Sequence, residues 1–366
     1  MSIKNSEAFE KTQEAESSVI QENTKATSEK KKICKKKIII RIIICTATLF
    51  VAMLVCFIGM ITIIFWGPSN TARDLLVMSV NETSAAKPLA RIFLSRKQIS
   101  DILSKNAVYS PTTITDESLI TIPDKETDPG FDKDGIQIIN ITDAKFKAKL
   151  MIVNDPSRVY LGTLESYGKD SKGMTLMDMI EKDKAIGGIN AGGFVDTAGM
   201  GNGGEPLGIV IKQGEIVYGN DSGKYEMIGF DAKKKLIIGY MTGKEALDRG
   251  ICEAMSFGPI LIVNGTPVNI TGTGGGLNPR TAIGQTADGA VLLLVIDGRQ
   301  TTSYGATYKD VINIMLDYGA VNAANLDGGS STLMVYDGEI LNSSASLYGP
   351  RQLPTAFLVR GVDNEE

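Results

Sequence analysis

From Ile42 to Trp66 the chain runs 25 residues without a charged side chain. At the rise of an α-helix that is about 37 Å, enough to cross a hydrocarbon core of roughly 30 Å. A cleavable signal peptide has a shorter apolar region that ends in small residues, and neither feature fits here. Lys30, Lys31, Lys32, Lys35, Lys36, Lys37 and Arg41 precede the run, and Trp66 closes it where an interfacial aromatic belongs. The expectation is a cytoplasmic basic tail over 1–37, with residues 1–29 polar enough to be disordered, and a signal anchor over 38–66. The positive-inside rule then puts everything after Gly67 outside the cell, on a single-pass membrane protein.

Charge divides at the same place. Taking the 10 basic and 6 acidic residues of positions 1–66 from the totals of 38 and 42 leaves 28 against 36, a formal charge of about −8. An exterior of that sign argues against nucleic acid as a partner, although single arginines can still hold an anion. The chain has no histidine, which removes Ser-His-Asp triads, Cys-His dyads and His-ligated zinc. Acid–base work therefore falls to Asp, Glu, Lys, Tyr or Cys, and oxygen-ligated cations such as calcium stay open. Of the four cysteines only Cys252 lies beyond the apolar run, so no internal disulfide staples the globular part.

Residues 67–130 read as an extracellular stalk, with helical character from Leu89 to Leu103 and a Thr-, Asp- and Pro-rich linker over 110–130. The compact domain is expected over 131–362. There apolar runs alternate with tight-turn signals. Strands are expected at 149–153, 159–161 and 185–189, with a short helix over 174–180. Gln213-Gly214, Asn264-Gly265, Asp288-Gly289 and Asp337-Gly338 read as hairpin turns. One helix stands out over 306–318, its Tyr308, Val311, Ile312, Met315 and Leu316 on a single stripe, with Gly319 placed to end it. Many strands and few helices give an α+β class, with mixed, largely antiparallel sheets preceded by one transmembrane helix.

Four segments concentrate polar chemistry. Asn190-Ala-Gly-Gly-Phe194 ends an apolar strand in residues that let the backbone bend towards a ligand. The glycines of 199–204 that follow read equally as a plain surface loop. Pro279-Arg280-Thr281 opens a strand after a glycine-rich segment. That segment lacks the Gly-Lys-Ser/Thr ending of a nucleotide phosphate loop, so it is not one. The run 291–296 delivers Asp297-Gly298-Arg299, and 322–326 delivers Asp327-Gly328-Gly329-Ser330 in the same manner. Each aspartate alone would serve to cap a turn. Two such strands joined through one helix are expected side by side, their carboxylates facing one mouth. Paired carboxylates are what glycosyl transfer uses. Arg280, Arg299 and Arg351 are candidate anion ligands, with a surface ion pair as the alternative for each.

Taken in order, Asn190–Phe194, Pro206-Leu-Gly208, Phe257-Gly-Pro259, Pro279–Gly284, Asp297-Gly-Arg299, Ser303–Thr307, Asn325–Ser330 and Arg351 resemble the phosphodiester glycosidase family, the family of the uncovering enzyme (N-acetylglucosamine-1-phosphodiester alpha-N-acetylglucosaminidase). The pattern departs from the family where Gly193 stands before Phe194 in place of an aromatic. The resemblance implies an extracellular hydrolase that cleaves the bond between a sugar anomeric carbon and phosphate. It implies Asp327 and Asp297 as catalytic carboxylates. Asn190, Arg280, Thr281, Arg299, Asn325, Gly328, Gly329, Ser330 and Arg351 would hold substrate or phosphate. The lack of disulfides and the anchor suit a bacterial cell-surface relative acting on phosphate-linked wall polymer or exopolysaccharide. A divalent cation, calcium, is a conceivable cofactor, and no compact loop motif supports it. Two other readings stay open: a glycan-binding or wall-assembly module without catalysis, and a phosphodiesterase that cuts P–O.

Overall fold

The computed structural model describes residues 3–83, 86–109, 111–122, 130–346 and 349–362. The linker expected over 110–130 therefore lies partly outside the described residues. The chain divides into two units, Met1–Pro68 and Ser69–Glu366.

The first unit is one helix, Ile3–Trp66. Residues 3–29, expected to be disordered, continue it. No glycine or proline interrupts them, and Glu, Lys, Gln and Ala favour helix. Within this helix, Lys35–Trp66 is long and apolar enough to cross a membrane. Its Ile42, Leu49, Phe50 and Phe57 side chains are exposed, as side chains that face lipid would be.

The second unit is built on three sheets in which all pairings are antiparallel. The largest runs in the order Ile136–Thr142, Lys147–Val153, Val291–Ile296, Arg280–Thr286, Ala320–Leu326, Ile260–Val263 and Thr266–Pro267. A second sheet orders Glu339–Ile340, Met334–Tyr336, Ala185–Asn190, Thr355–Arg360 and Val159–Thr163. The third orders Glu215–Tyr218, Val210–Lys212, Ile251–Ser256, Lys224–Asp231 and Leu236–Thr242. Alternation sends one face of each sheet into a shared core. Met151 and Leu293 come from the first, Ile189 and Phe357 from the second, and Ile228 and Phe230 from the third. Each such fully buried side chain contributes about 1.5–3 kcal/mol of hydrophobic stabilisation. Helix Tyr308–Asp317 covers the other face of the first sheet, packing Val311 and Met315 with Leu292 and Leu294. Its N-cap Thr307 and Asp310 form a reciprocal capping box, and Gly319 follows its end at φ +78°. The α+β class read from the sequence is the class observed.

The four turn signals all join consecutive antiparallel strands. Gln213-Gly214, Asn264-Gly265 and Asp337-Gly338 hold both residues at positive φ, the geometry that matches strand twist in a two-residue hairpin. At Asp288-Gly289 only the glycine has positive φ.

The segment expected to be a stalk is folded instead. Asn70–Asn81, Lys87–Phe93 and Arg96–Lys105 are helices, and the first buries Val77, Met78 and Val80. The Ser79 hydroxyl accepts from the Leu277 amide at 2.8 Å, and the Asn106 carboxamide oxygen accepts from Thr273 at 2.7 Å. Thr115 then donates its amide to Ile238 of the third sheet at 3.0 Å. The apolar residues of this segment have a surface to bury against, which a free stalk would lack.

Candidate active site

The two Asp-Gly strand ends lie at the same edge of the first sheet, but not side by side. Strand Arg280–Thr286 runs between them, antiparallel to both. That spaces their backbones by two strand separations, roughly 10 Å. Register also separates them. Ile296 pairs with Arg280, whereas Leu326 pairs with Thr281. The residue after each is therefore offset by one, and alternation turns Asp297 and Asp327 towards opposite faces.

Their surroundings differ accordingly. Asp327 lines a cavity of about 660 Å³ together with Phe194, Arg280, Arg299, Asn325 and Arg351. Burial pushes its pKa up to about 6, against hydrogen bonds from Ser331 and the Gly328 amide and the nearby Arg351 charge. Asp297 does not line this cavity. Its Oδ1 accepts from Asn342 Nδ2 at 3.1 Å and from the Ser343 amide at 3.0 Å. Burial raises its pKa too, and those two bonds oppose the rise. Asp297 ties the 342–343 loop to the strand end, as a turn-capping aspartate does.

Asn190 and Thr281 stand behind the cavity rather than in it. Asn190 is fully buried, and its carboxamide donates to the Asp327 carbonyl. Its oxygen accepts from the Thr281 hydroxyl at 2.9 Å and from the Leu333 amide at 3.0 Å. With the Asp327 amide bonded to Ala191 O at 2.8 Å, both peptide groups of Asp327 are held by the strand end 190–191. The glycines of the 328–329 turn answer to close approach. A Cβ on Gly328 would meet Pro279 O at 2.7 Å, and Gly329, at φ +62°, lies against the Arg299 guanidinium. The Gly329 amide is committed to Pro279 O at 3.0 Å. The turn therefore offers a ligand its Ser330 hydroxyl rather than a row of free amides.

The three arginines are not equivalent. Arg280 is 4% exposed; its Nη2 pairs with Glu82 at 2.7 Å, and its guanidinium stacks 3.9 Å from the Tyr308 ring. It also donates to the carbonyls of Ala306 and Gly276. Arg351 pairs with Asp196 at 3.2 Å, donates to Ser330 Oγ at 3.0 Å and lies over Phe194. Among the described residues, the Arg299 guanidinium donates to two neutral oxygens, Thr83 Oγ1 at 2.7 Å and Asn278 Oδ1 at 3.0 Å. Burial and the neighbouring Arg280 charge lower its pKa, and the Glu82 and Asp327 charges oppose them. Among the described residues, Arg299 is thus the cavity guanidinium with no carboxylate in direct contact. It is also one of few non-glycine residues at positive φ, here 59°, a conformation that costs energy.

Asn325 supplies a second unfilled valence. Its Nδ2 donates to Gly258 O at 2.9 Å and Leu326 O at 2.8 Å, which fixes the amide orientation. Its Oδ1 is buried without a partner, on a side chain that lines the cavity. A buried acceptor in that state costs on the order of 1–3 kcal/mol, which a donor on a ligand would recover.

Residues 183–360 match the phosphodiester glycosidase family. Over those residues the chain is similar to a phosphodiester glycosidase domain. It is 28% identical over 200 residues to the SPbeta prophage-derived uncharacterized protein YomE of Bacillus subtilis (strain 168), an overlap of 52% of this chain and 29% of that protein. It is 26% identical over 155 residues to the N-acetylglucosamine-1-phosphodiester alpha-N-acetylglucosaminidase of Mus musculus, covering 37% of this chain and 30% of the relative. The chain thus spans under a third of the length of these curated relatives. Among solved structures, the catalytic domain of the zebrafish N-acetylglucosamine-1-phosphodiester alpha-N-acetylglucosaminidase, auto-inhibited by its pro-peptide, shares the fold. The TM-score is 0.51 at 22% identity, over 62% of this chain and 82% of that one.

Within this family framework, the departure at Gly193 has a structural counterpart. A Cβ there would meet the Phe257 ring at 2.4 Å, so Phe257 fills the space that an aromatic at 193 would take. Sequence reasoning missed Glu82 and Thr83, which enter the cavity from a segment nearly 200 residues away in the chain. No local signal in Asn81-Glu82-Thr83 announces that role. Phe194 and Phe257 also line the cavity, and both lie inside the motifs that carry the resemblance. Among the described residues no group of three or more Asp, Glu or Cys side chains gathers as a cation site would need. A calcium ion would have to draw on other oxygens.

Proposed function

We propose that the domain hydrolyses a sugar-1-phosphodiester between the anomeric carbon and the phosphate oxygen. The observation that carries this reading is the pairing, in one cavity, of a carboxylate raised to about 6 with Arg299, a guanidinium that no carboxylate contacts among the described residues. The phosphate sits against Arg299 and the Ser330 hydroxyl. The sugar places a hydroxyl or amide donor on Asn325 Oδ1. Water attacks the anomeric carbon on the side of Asp327, which accepts the proton of that water and stabilises the oxocarbenium-like charge. The C–O bond breaks, its electron pair stays on the phosphate oxygen, and a phosphate monoester leaves. Arginine charge offsets the developing negative charge, so little general-acid help is needed. The names of the mouse and zebrafish relatives, which specify N-acetylglucosamine-1-phosphodiester, support the substrate class.

The apolar helix anchors this domain at the outer face of a membrane, with its basic flank inside, and phosphate-linked wall polymer or exopolysaccharide is the natural substrate. Protease added to intact cells should remove the domain, and survival of the domain until lysis would reverse the topology. The reaction is tested on a panel of sugar-1-phosphodiesters in ¹⁸O-water. Label in the released sugar is the expected result. Label in the phosphate would make the protein a phosphodiesterase, and binding without turnover across the panel would make it a glycan-binding module.

A further inference from the structure

Helix Lys87–Phe93 turns one side into the domain and leaves the other uncovered. Ala90 and Leu94, which lie one turn apart, are buried. The helical period places Pro88, Leu89 and Ile92 together on the opposite side. All three are exposed, Ile92 to 70%. Single apolar side chains at a surface are ordinary, but here the whole outward side of a helix is apolar.

Positive charge rims this face. Lys87 and Arg91 flank it on the same helix, and Arg96 and Lys97 open the next one, Arg96–Lys105. All four are exposed, and none forms an ion pair among the described residues. With Lys105 they stand against Asp101 alone, so residues 87–105 carry a formal charge of about +4. The part of the chain beyond the apolar run, to which they belong, carries about −8. The basic residues are thus concentrated beside the apolar face rather than spread over the domain.

Apolar side chains ringed by unpaired cations fit the boundary between water and lipid. The apolar groups enter the acyl region, and the cations meet anionic headgroups. Chain length brings that boundary near. Only Gly67-Pro68-Ser69 joins the apolar span, which ends at Trp66, to helix Asn70–Asn81. Fully extended, the steps from Trp66 to Asn70 reach about 14 Å, which holds the start of the second unit at the bilayer surface. A second copy of the same face would instead bring like charges together.

We propose that the outward face of helix Lys87–Phe93, with Arg96 and Lys97, docks on the anionic surface of the membrane that the apolar helix spans. The inference rests on the proposed reading of that helix as an anchor. Glu82 and Thr83, which line the cavity, precede the docking helix by a few residues, so docking ties one wall of the site to the headgroup layer.

The test uses the full chain carrying Cys34→Ser, Cys45→Ser, Cys56→Ser and Cys252→Ser. One fluorophore is attached through Ile92→Cys or, as a reference on the third sheet, through Val217→Cys. Each protein is reconstituted into phosphatidylcholine vesicles containing about one-third phosphatidylglycerol and a nitroxide-bearing lipid. The nitroxide should quench the fluorophore at Ile92→Cys at least about threefold more than the one at Val217→Cys. Lys87→Glu, Arg91→Glu, Arg96→Glu and Lys97→Glu together should remove that difference. Equal quenching at the two positions, or a difference that survives the four substitutions, would each overturn the docking face. Self-quenching at Ile92→Cys that grows with the protein-to-lipid ratio would give the face to a second copy and overturn it too. Failure of the anchor is read separately. A full chain that stays in solution without detergent would sink the anchor, and it would then be sedimented with the same vesicles. Sedimentation lost in the four-glutamate variant would uphold the docking face, and no sedimentation would sink both. Circular-dichroism melts within a few degrees of wild type establish that the variants are folded.

Discussion

Asp297 and Asp327 look alike in sequence: an apolar strand, a carboxylate, a glycine, then polar residues. In the structure they share a sheet edge and little else. Asp327 faces a cavity with three arginines, whereas Asp297 is bonded into the 342–343 loop. The cause is the strand between them and a one-residue offset in register. Identical local motifs thus become a candidate catalytic group and a loop clamp, because the side-chain period of a strand is two.

The sharpest way to break this comparison is to remove each carboxylate in turn. Asp327→Asn should lower sugar release by about 10²–10⁴-fold, the range for an acid–base group, while Asp297→Asn stays within about tenfold. Equal losses would mean that the two strand ends work as a pair after all. The next test replaces the arginine that, among the described residues, has no carboxylate in direct contact. Arg299→Met should raise KM for the phosphodiester by about 10–100-fold, the scale of one charge-assisted contact. The matching change at Arg351, already paired with Asp196, should cost less. An inverted order, read from the same titrations, would move the phosphate to Arg351.

Glu82 is the third acid in the comparison. It neutralises a buried guanidinium, so Glu82→Ala should cost about 3–5 kcal/mol in urea denaturation, the penalty for an uncompensated buried charge. If Glu82 instead took part in chemistry, the milder Glu82→Gln would lose turnover as deeply as Asp327→Asn.

The pH dependence should also divide the two aspartates. A carboxyl raised from 3.8 to about 6 binds more protons folded than unfolded between those values. Asp327 therefore contributes a penalty that is absent below about pH 4, grows as pH rises, and is complete above about pH 6, worth roughly 3 kcal/mol. Asp327→Asn should accordingly be more stable than wild type at pH 7.5 by about 2 kcal/mol, a gain that disappears by pH 4 in chemical denaturation. Turnover, which needs the ionised form, should fall as pH drops through about 6. The smallest effect is expected for Asp297→Asn, which keeps one acceptor for Asn342 and Ser343 and should shift stability by about 1 kcal/mol or less.

Much of this was legible without coordinates. Hairpin turns were readable because Asn-Gly, Asp-Gly and Gln-Gly answer to backbone sterics within two residues. Helix Tyr308–Asp317 was readable because its apolar stripe and its ending glycine are local, although Leu316 on that stripe remains partly exposed. The polarity of 322–332 marks a candidate site because a core would not carry it. The roles of Asn190 and Thr281 were not legible. A carboxamide that binds substrate and one that holds the backbone of a neighbouring turn have the same sequence context. Nor was the folding of helices Asn70–Asn81, Lys87–Phe93 and Arg96–Lys105 onto the domain, because their apolar residues are too few to declare a partner.

By itself, the sequence determined the chemistry available: no imidazole, carboxylates at strand ends, arginines near glycine turns, and an uncharged run long enough to cross a bilayer. These follow from composition and from contacts within a turn or two of chain. Only the tertiary structure decided which carboxylate meets which arginine, that Glu82 occupies Arg280, and that Arg299 has no carboxylate in direct contact among the described residues. Those outcomes depend on strand order, register and packing between segments up to about 200 residues apart, where the energy of a contact is set by what else is buried beside it.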